Sequence, residues 1–455
     1  MLLLLMLVLA APTQAQAATP AAGPAGGGAP ASAFTAQEMP LSIFDAVQRG
    51  LDHNLGVLLA EQDRDKAEGT RWVSLSALLP QVHARIGETR QTVNLQSFGF
   101  SLPGTPPIIG PFNIFDARVA VSQSVFDLER LNRARADSES QRASRFAYRN
   151  ARDLVVGVAA HLYLQSLAAS ARADAARAQL ATAEALHRQA LGLKQAGLVA
   201  GVDVVRADVR LSTERQRATA AESAFQKSKL ELARVIGLPI GQRFTVTPVP
   251  FTPAPELTLE EAEARAQTAR PDLKAAQARV QAAELLRRAV SAERLPTARV
   301  AGDYGAIGQT VGGALATYRV AGEVDVPLFQ GGRVHGKLLE ATADLKKRQA
   351  EADDLRAAIH YELAETLLDL KSTEEQFRVA TRGRELAELQ LTQARDRFAA
   401  GLVSNIEIVQ AQEAVALAAE QVIGSLFQFN ASKVMLARAM GESEASLATY
   451  LGGQR

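Results

Sequence analysis

A catalytic chain shows its nucleophile, its metal ligands or its phosphate cradle, and this one shows none of them. Its 455 residues include no cysteine, which excludes a thiolate nucleophile, a thiolate metal site, a disulfide framework and a lipid-bearing N-terminal Cys. Six histidines, at 53, 83, 161, 187, 335 and 360, are scattered without ligand spacing. There is no Walker loop and no nucleophile elbow, and Gly302-Asp303-Tyr304-Gly305 does not open a helix. Past residue 17 only Met39, Met435 and Met440 remain, too few for a copper ladder. The expectation is a non-enzyme without cofactor or resident metal.

The chemistry these residues can do is to line a wet passage. In residues 115–125, Ala117, Val119 and Val121 alternate with Asp116, Arg118 and Ser122. In residues 317–326, Tyr318, Val320, Val324 and Val326 alternate with Arg319, Glu323 and Asp325. Period two makes each a strand with one apolar and one polar face. Arg118, Arg319, Glu323 and Asp325 are expected on the wet side. A second feature occurs twice: Gly197-Leu198-Val199 returns as Gly401-Leu402-Val403, each followed by an acid, Asp203 and Glu407. The offset of 204 residues holds without a gap for some forty residues, through Phe225/Phe429, Lys229/Lys433 and Gly237/Gly441. The chain is an internal duplication, and the Gly-containing stretches read as tips of two helical hairpins.

The elements that position these groups follow in order. Residues 1–17 resemble a signal peptide, an apolar run followed by Ala15-Gln16-Ala17, and 18–40 form an Ala/Pro/Gly-rich flexible leader. No later run of about 18 uncharged apolar residues appears, so no transmembrane helix is expected in the mature chain. The first repeat, 41–236, carries a helix to Leu79-Pro80, strands 81–93 and 115–125, and a long helical hairpin with its tip at 197–203. Residues 237–257, with five prolines, are an equatorial connector. The second repeat, 258–441, carries a helix to Leu295-Pro296, strands 297–307 and 317–326, and a hairpin with its tip at 401–407; 442–455 trail off as a tail. The offset is 216 at the Leu-Pro junctions and 203 after the strands, which places a 13-residue insertion in the first strand–strand loop. That loop, 98–113, is rich in proline and reads as external. Phe98, Phe100, Phe112, Phe115, Tyr304 and Tyr318 are candidates for interfacial girdles, with core packing the alternative.

Lengths set the architecture. Residues 126–197 make roughly 108 Å of helix at about 1.5 Å per residue. The return path of similar length is expected from 202–236 stacked with 258–295, and 41–79 is left to complete the second hairpin. Only 5% of residues are aromatic and Ala, Leu, Gln, Arg and Glu dominate, as in long helices packed through small side chains. A net charge of +1 gives no reason to expect nucleic acid. Four strands per protomer leave open edges, and open edges cannot sit in lipid. Three copies would close twelve strands, an ordinary size for an outer-membrane barrel.

The doubled helix–strand–strand–helix order, the two Leu-Pro junctions, the Leu328-Phe329-Gln330-Gly331-Gly332-Arg333 segment and the two Gly-Leu-Val tips together resemble the TolC-type outer membrane efflux proteins over about 41–441. The resemblance implies a mainly α fold with a small β part. Antiparallel helical hairpins form a periplasmic α-barrel, and a homotrimer completes a 12-stranded β-barrel in the outer membrane of a Gram-negative bacterium. It implies a passive exit duct for multidrug efflux or type I secretion. Its partners would be outer-membrane lipid, a periplasmic adaptor (membrane fusion protein) and an inner-membrane pump of RND or ABC type. A periplasmic coiled-coil scaffold or adaptor that spans no membrane is the alternative, and a helical enzyme a distant third.

The same resemblance implies roles for the tips. Gly197, Leu198, Val199, Gly401, Leu402 and Val403 would meet the adaptor; a plain helical hairpin would carry the same glycines. Glu407 falls where the family carries an acidic ring at the constriction, and Gln410 where it carries a second acid. Asp203 matches the acidic member of the family's closing lock, while its tyrosine and arginine positions hold Phe398 and Val403. This implies a gate held mainly by packing at Phe398, with weaker polar latching, and a fixed first half beside a gating second half.

Overall fold

The computed structural model describes residues 26–29, 37–99, 103–104, 106–197, 199–239, 241–400, 402 and 405–452, without the side chains of Phe398, Ala399 and Asn405. The signal segment 1–17, most of the leader and the end of the tail lie outside the described residues.

The duplication is visible element by element. After β1 (Met39–Leu41), the first repeat lays down α1 (Ile43–His53, 11 residues) and α2 (Leu55–Ser76, 22 residues). Then come β2 (Gln81–Asn94), β3 (Ile108–Phe126), α3 (Leu128–Gln195, 68 residues) and α4 (Gly201–Val235, 35 residues). After β4 (Phe244–Val246), the second repeat lays down α5 (Leu259–Ala269, 11 residues) and α6 (Pro271–Ala292, 22 residues). Then follow β5 (Thr297–Gly308), β6 (Leu315–Asp325), α7 (Arg333–Ala399, 67 residues) and α8 (Asn405–Ala439, 35 residues). A last helix, α9 (Ser443–Leu451), closes the chain.

Several expectations change in detail. The helices read over 41–79 and 258–295 are each broken, at Asn54 and at Arg270. Both broken helices begin alike: Ser42 with Asp45 and Thr258 with Glu261 form reciprocal capping boxes that start α1 and α5. At the breaks themselves, Asn54 Nδ2 donates to the Val235 carbonyl at 3.1 Å, and Arg270 Nη1 donates to the Ala439 carbonyl at 2.9 Å. These carbonyls are orphans at the ends of α4 and α8, so one side chain both interrupts one helix and caps another. The chain then leaves each capped helix through a glycine in the left-handed region, Gly237 (φ 66°) and Gly441 (φ 74°).

The caps also correct the stacking. The end of α4 meets the α1/α2 break and the end of α8 meets the α5/α6 break, so α2 continues α4 and α6 continues α8. Side by side the columns run α2/α4, α3, α6/α8, α7, because α3 packs on α2, α4, α6 and α8 while α7 packs on α6 and α8. The connector 237–257 contains β4, which pairs in parallel with β1. The tail is not unstructured: α9 inserts Leu447 and Leu451 into a core made with Leu41, Leu51, Val156, Tyr163 and Leu232. Tyr450 joins the companion core of the second repeat, with Leu273, Leu363, Phe429 and Met440. Both cores sit at mid-height, where the helix breaks are. The apolar window of α3 is long enough by composition to cross a membrane, but 56% of it is buried inside the protein.

All four long strands form one antiparallel sheet in the order β2-β3-β5-β6. β3 starts at Ile108, so part of the expected external loop is strand; Ile108, Ile109, Phe112 and Ile114 favour it despite Gly110-Pro111, where the pairing with β2 is irregular.

Candidate functional site

Register assigns every sheet residue to a face, since directly opposed residues share one. Arg85, Arg118, Gly305 and Thr317 form one rung; His83, Ala120, Asp303 and Arg319 form the next; Ser124, Arg299 and Glu323 lie further down, and Asp325 opposes Thr297. Arg118, Arg319, Glu323 and Asp325 therefore share one face of the sheet. There, Arg118 is ion-paired with Asp116 and with Asp303, the latter at 3.2 Å, and Arg299 with Glu323 at 2.5 Å. The opposite face carries Val82, Ala84, Ile86, Phe115, Val119, Val121, Val300, Tyr304, Tyr318, Val320 and Val324. Of the girdle candidates, Phe115, Tyr304 and Tyr318 are on this apolar face, Phe98 is exposed in the loop, Phe100 lies outside the described residues, and Phe112 is on the polar-side parity instead.

The hairpin tips lie at the far end of the long helices from the sheet. At the first, Gly197 turns the chain at φ 73°, Val199 is half-buried, and α4 starts two residues on. At the second, Leu402 is 71% exposed; Gly401 and Val403, like Leu198 at the first, lie outside the described residues. Asp203 and Glu407 occupy the same slot, the third residue of α4 and of α8, where a carboxylate complements the helix N-terminus. Their partners differ. Asp203 pairs locally with Arg206 at 3.3 Å, on the same helix. Glu407 is reached across the tip by Arg397 of α7, at 2.8 Å. Neither arginine has a counterpart: the residue equivalent to Arg397 is Leu193, and that equivalent to Arg206 is Gln410. Sequence reading missed Arg397 because the pairing spans a turn and leaves no periodic trace. Its signal was a basic residue late in the incoming helix facing an acid early in the outgoing one.

Asp203 and Gln410 come together in one groove of about 390 Å³ between α3, α4 and α8, with Leu186, Arg206, Arg210 and Val409. Arg210 joins the hairpins, reaching Glu214 of α4 at 3.0 Å and Glu413 of α8 at 3.7 Å. Phe398 is in α7 beside Arg397, and its side chain lies outside the described residues. Among the described residues no cluster of His, Asp and Glu could hold a metal ion.

The waist holds the strongly perturbed charges. Lys433 is fully buried, donates to the Thr252 carbonyl at 2.9 Å, and stands 4.6 Å from the centre of the Phe429 ring. Burial lowers its pKa to about 8. Asp153 is raised to about 6, chiefly by burial, with the Glu444 and Asp272 charges adding to the effect.

A family model described as "Outer membrane efflux protein" matches residues 46–238 and 263–442. No curated protein matches the chain in sequence. Among solved structures it is similar to the Campylobacter jejuni CmeC outer membrane channel, at TM-score 0.77 and 16% identity over 95% of this chain and 94% of that one. It is similar to the outer membrane protein VceC of Vibrio cholerae, at TM-score 0.77 and 16% identity over 88% of this chain and 96% of that one. It also resembles the open state of the Neisseria gonorrhoeae MtrE outer membrane channel, at TM-score 0.69 and 16% identity over 90% and 89%. The chain belongs to the outer membrane efflux protein family: it is an outer-membrane efflux duct that extends into the periplasm.

Proposed function

We propose that this member of the outer membrane efflux protein family works as a homotrimer, the passive exit of a tripartite efflux or type I secretion system. A periplasmic adaptor and an inner-membrane pump, of RND or ABC type, supply substrate and driving force. The observation that carries this reading is that the protomer is unfinished on matching sides. The sheet leaves β2 and β6 as open edges, and β6 can pair only with β2 of another copy. The helical wall ends on α7, whose Leu339, Tyr361, Leu368, Val379, Leu386 and Leu389 are exposed and fall within about 80° of one another around the helix. Its other end, α2/α4, exposes Leu55, Leu59, Val73, Val202, Val205 and Val209. Three copies joined α7 to α2/α4 bury both stripes and give twelve strands above twelve helical columns.

In that ring the polar face lines the lumen and Arg118, Arg319, Glu323 and Asp325 are wet. The tips, with Gly197, Leu198, Val199, Gly401, Leu402 and Val403, are the adaptor-facing end. Asp203, Phe398, Glu407 and Gln410 mark the periplasmic constriction, latched in the second half by Arg397. Fractionation tests the reading. The expected result is a heat-modifiable trimer in the outer membrane; recovery solely as a soluble periplasmic monomer overturns it.

A further inference from the structure

The sheet contains one junction between the two repeats, β3 against β5, and the duplication makes it a template for a junction the protomer lacks. β2 and β5 are equivalent at the offset of 216, as are α2 and α6, which begin at 55 and 271 and end at 76 and 292. β3 and β6 are equivalent at the offset of 203. Gln81↔Ser122 in the first strand pair corresponds at these offsets to Thr297↔Asp325 in the second, so both pairs keep one register. In a closed ring the strand after β6 is β2 of the next copy, the equivalent of β5. A ring whose repeats are all alike pairs β6 with that β2 as β3 pairs with β5.

Carried across to the open edges, Phe115↔Gly308 becomes Tyr318 against Thr92, and Ser122↔Ala301 becomes Asp325 against Arg85. No charge enters that construction, yet it opposes two ions of opposite sign. Among the described residues neither Arg85 nor Asp325 is ion-paired within the protomer, whereas Arg118, Asp116, Asp303, Arg299 and Glu323 on the same face all are. Arg319, also without an ion pair, falls beside Gln91, whose amide oxygen can accept from it. Arg85 and Asp325 stand on opposite edge strands, at least about 14 Å apart at about 4.8 Å per strand, so they cannot meet within one copy. The apolar face agrees with the same register: Val324 falls against Ile86 and Val326 against Ala84. Val324 and Ile86 are 68% and 77% exposed in the protomer. A slip of one residue would put charge on the apolar face, and a slip of two would part Asp325 from Arg85.

We propose that copies of this chain join edge to edge in this register, β6 of one antiparallel to β2 of the next, with Asp325 ion-paired to Arg85 of the next copy at each seam. The occupant of both open edges is a second copy of this chain. Directly opposed residues of antiparallel strands are close enough for such a pair, and an opposite-charge pair there favours one register over its neighbours. The helices follow the same rule: α3 packs on α6 within the protomer, and their equivalents are α7 and the α2 of the next copy. This rests on the trimeric duct reading, which supplies the ring.

The test uses the natural absence of cysteine: every thiol is one that is placed. Asp325→Cys is combined in the full-length chain with Arg85→Cys or, for registers displaced to either side on the same face, with Gln81→Cys or Thr89→Cys. Directly opposed Cα atoms are about 4.5–5.5 Å apart, within disulfide reach, whereas four residues along a strand add about 13 Å. The variants are oxidised in outer-membrane vesicles and read as covalent oligomer on denaturing gels. The expected result is linking by Asp325→Cys with Arg85→Cys in several-fold excess over the other two. Strongest linking through Gln81→Cys or Thr89→Cys, equal linking by all three, or none while the trimer assembles, overturns the register and leaves the duct standing. Absence of a wild-type trimer removes the duct reading and the seam with it. Charge reversal is the second measurement, and it decides if the thiols prevent assembly. Arg85→Asp and Asp325→Arg should each lower the temperature at which the trimer dissociates, and the two together should recover most of the loss; no recovery overturns the ion pair.

Discussion

The Val235 and Ala439 carbonyls are equivalent groups at the ends of equivalent helices, yet different side chains meet them. In the first repeat the donor is Asn54, a neutral amide whose Oδ1 also accepts the Gly56 N–H at 2.8 Å. In the second it is Arg270, which pairs in addition with Asp272 at 2.7 Å and Glu362 at 2.6 Å, while Arg438 reaches Glu362 at 3.2 Å. The positions equivalent to Asp272 and Glu362 hold Gly56 and Val158. One geometric problem, capping one helix at the break of another, is thus solved once by a compact amide and once by a buried charge network. The network adds a dependence that the amide lacks, because each charge needs the others to be present.

The long helices differ for a reason the columns explain. α4 lies at the protomer's edge and packs on α3, and its 35 residues are heavily charged. α8 has the same length but lies between α3 and α7, and its charges are few: Glu407, Glu413, Glu420, Lys433 and Arg438. Flanked on two sides, α8 has little surface on which a charge stays solvated. The tips extend the contrast. Asp203 is satisfied within its own helix, whereas Glu407 ties α8 to α7. A latch that joins two columns can hold a gate; a bond within one helix cannot.

The largest expected effect breaks the comparison at the waist. Arg270→Ala orphans the Ala439 carbonyl, takes the guanidinium from Asp272 and leaves Glu362 with Arg438 alone, and should cost about 3–5 kcal/mol, whereas Asn54→Ala should cost about 1–2 kcal/mol. The thermal unfolding midpoint of the purified protein reads both; equal losses would mean that the charge network adds nothing. Next is Lys433. Its lowered pKa means that folding is penalised wherever the unfolded lysine is protonated and the folded one resists it. The penalty is full below about pH 8 and vanishes as the pH rises towards 10.5. Thermal stability should therefore rise over that window in the wild type, and Lys433→Met should abolish the rise.

A smaller effect is expected at Asp153. Its raised pKa gives the wild type added stability as the pH falls from about 6 towards 3.8, and Asp153→Asn should be the more stable protein at neutral pH and lack that gain. Melting curves of the two proteins at pH 7 and pH 5 decide it.

Much of this was legible in the residues. The duplication, the strand faces and the tips follow from periodicity and offset, and Arg118, Arg319, Glu323 and Asp325 fall on one sheet face. Arg270 was partly legible, because Pro271 after it favours a helix start, but Asn54 stands between His53 and Leu55 without Gly or Pro to mark a break. The stacking was misassigned because lengths alone allow either pairing, and the choice is made by the two capping hydrogen bonds. The extension of β3 was hidden by prolines, and α9 by its position after Gly441, where the helix it follows had to end. Arg397 escaped because contacts across a turn follow no period.

The central claim is that the second tip is the gating half, and bilayer conductance of the purified trimer tests it most directly. The Arg397–Glu407 and Arg206–Asp203 pairs are both solvent-accessible, so each is worth about 0.2–1 kcal/mol. In the proposed trimer, three copies of the first would act on one gate and should together shift the closed–open balance several-fold. Arg397→Ala should raise the open fraction or the conductance of the resting channel, and Arg206→Ala should leave it at the wild-type level. Equal responses to the two substitutions, or a larger one from Arg206→Ala, would contradict the account.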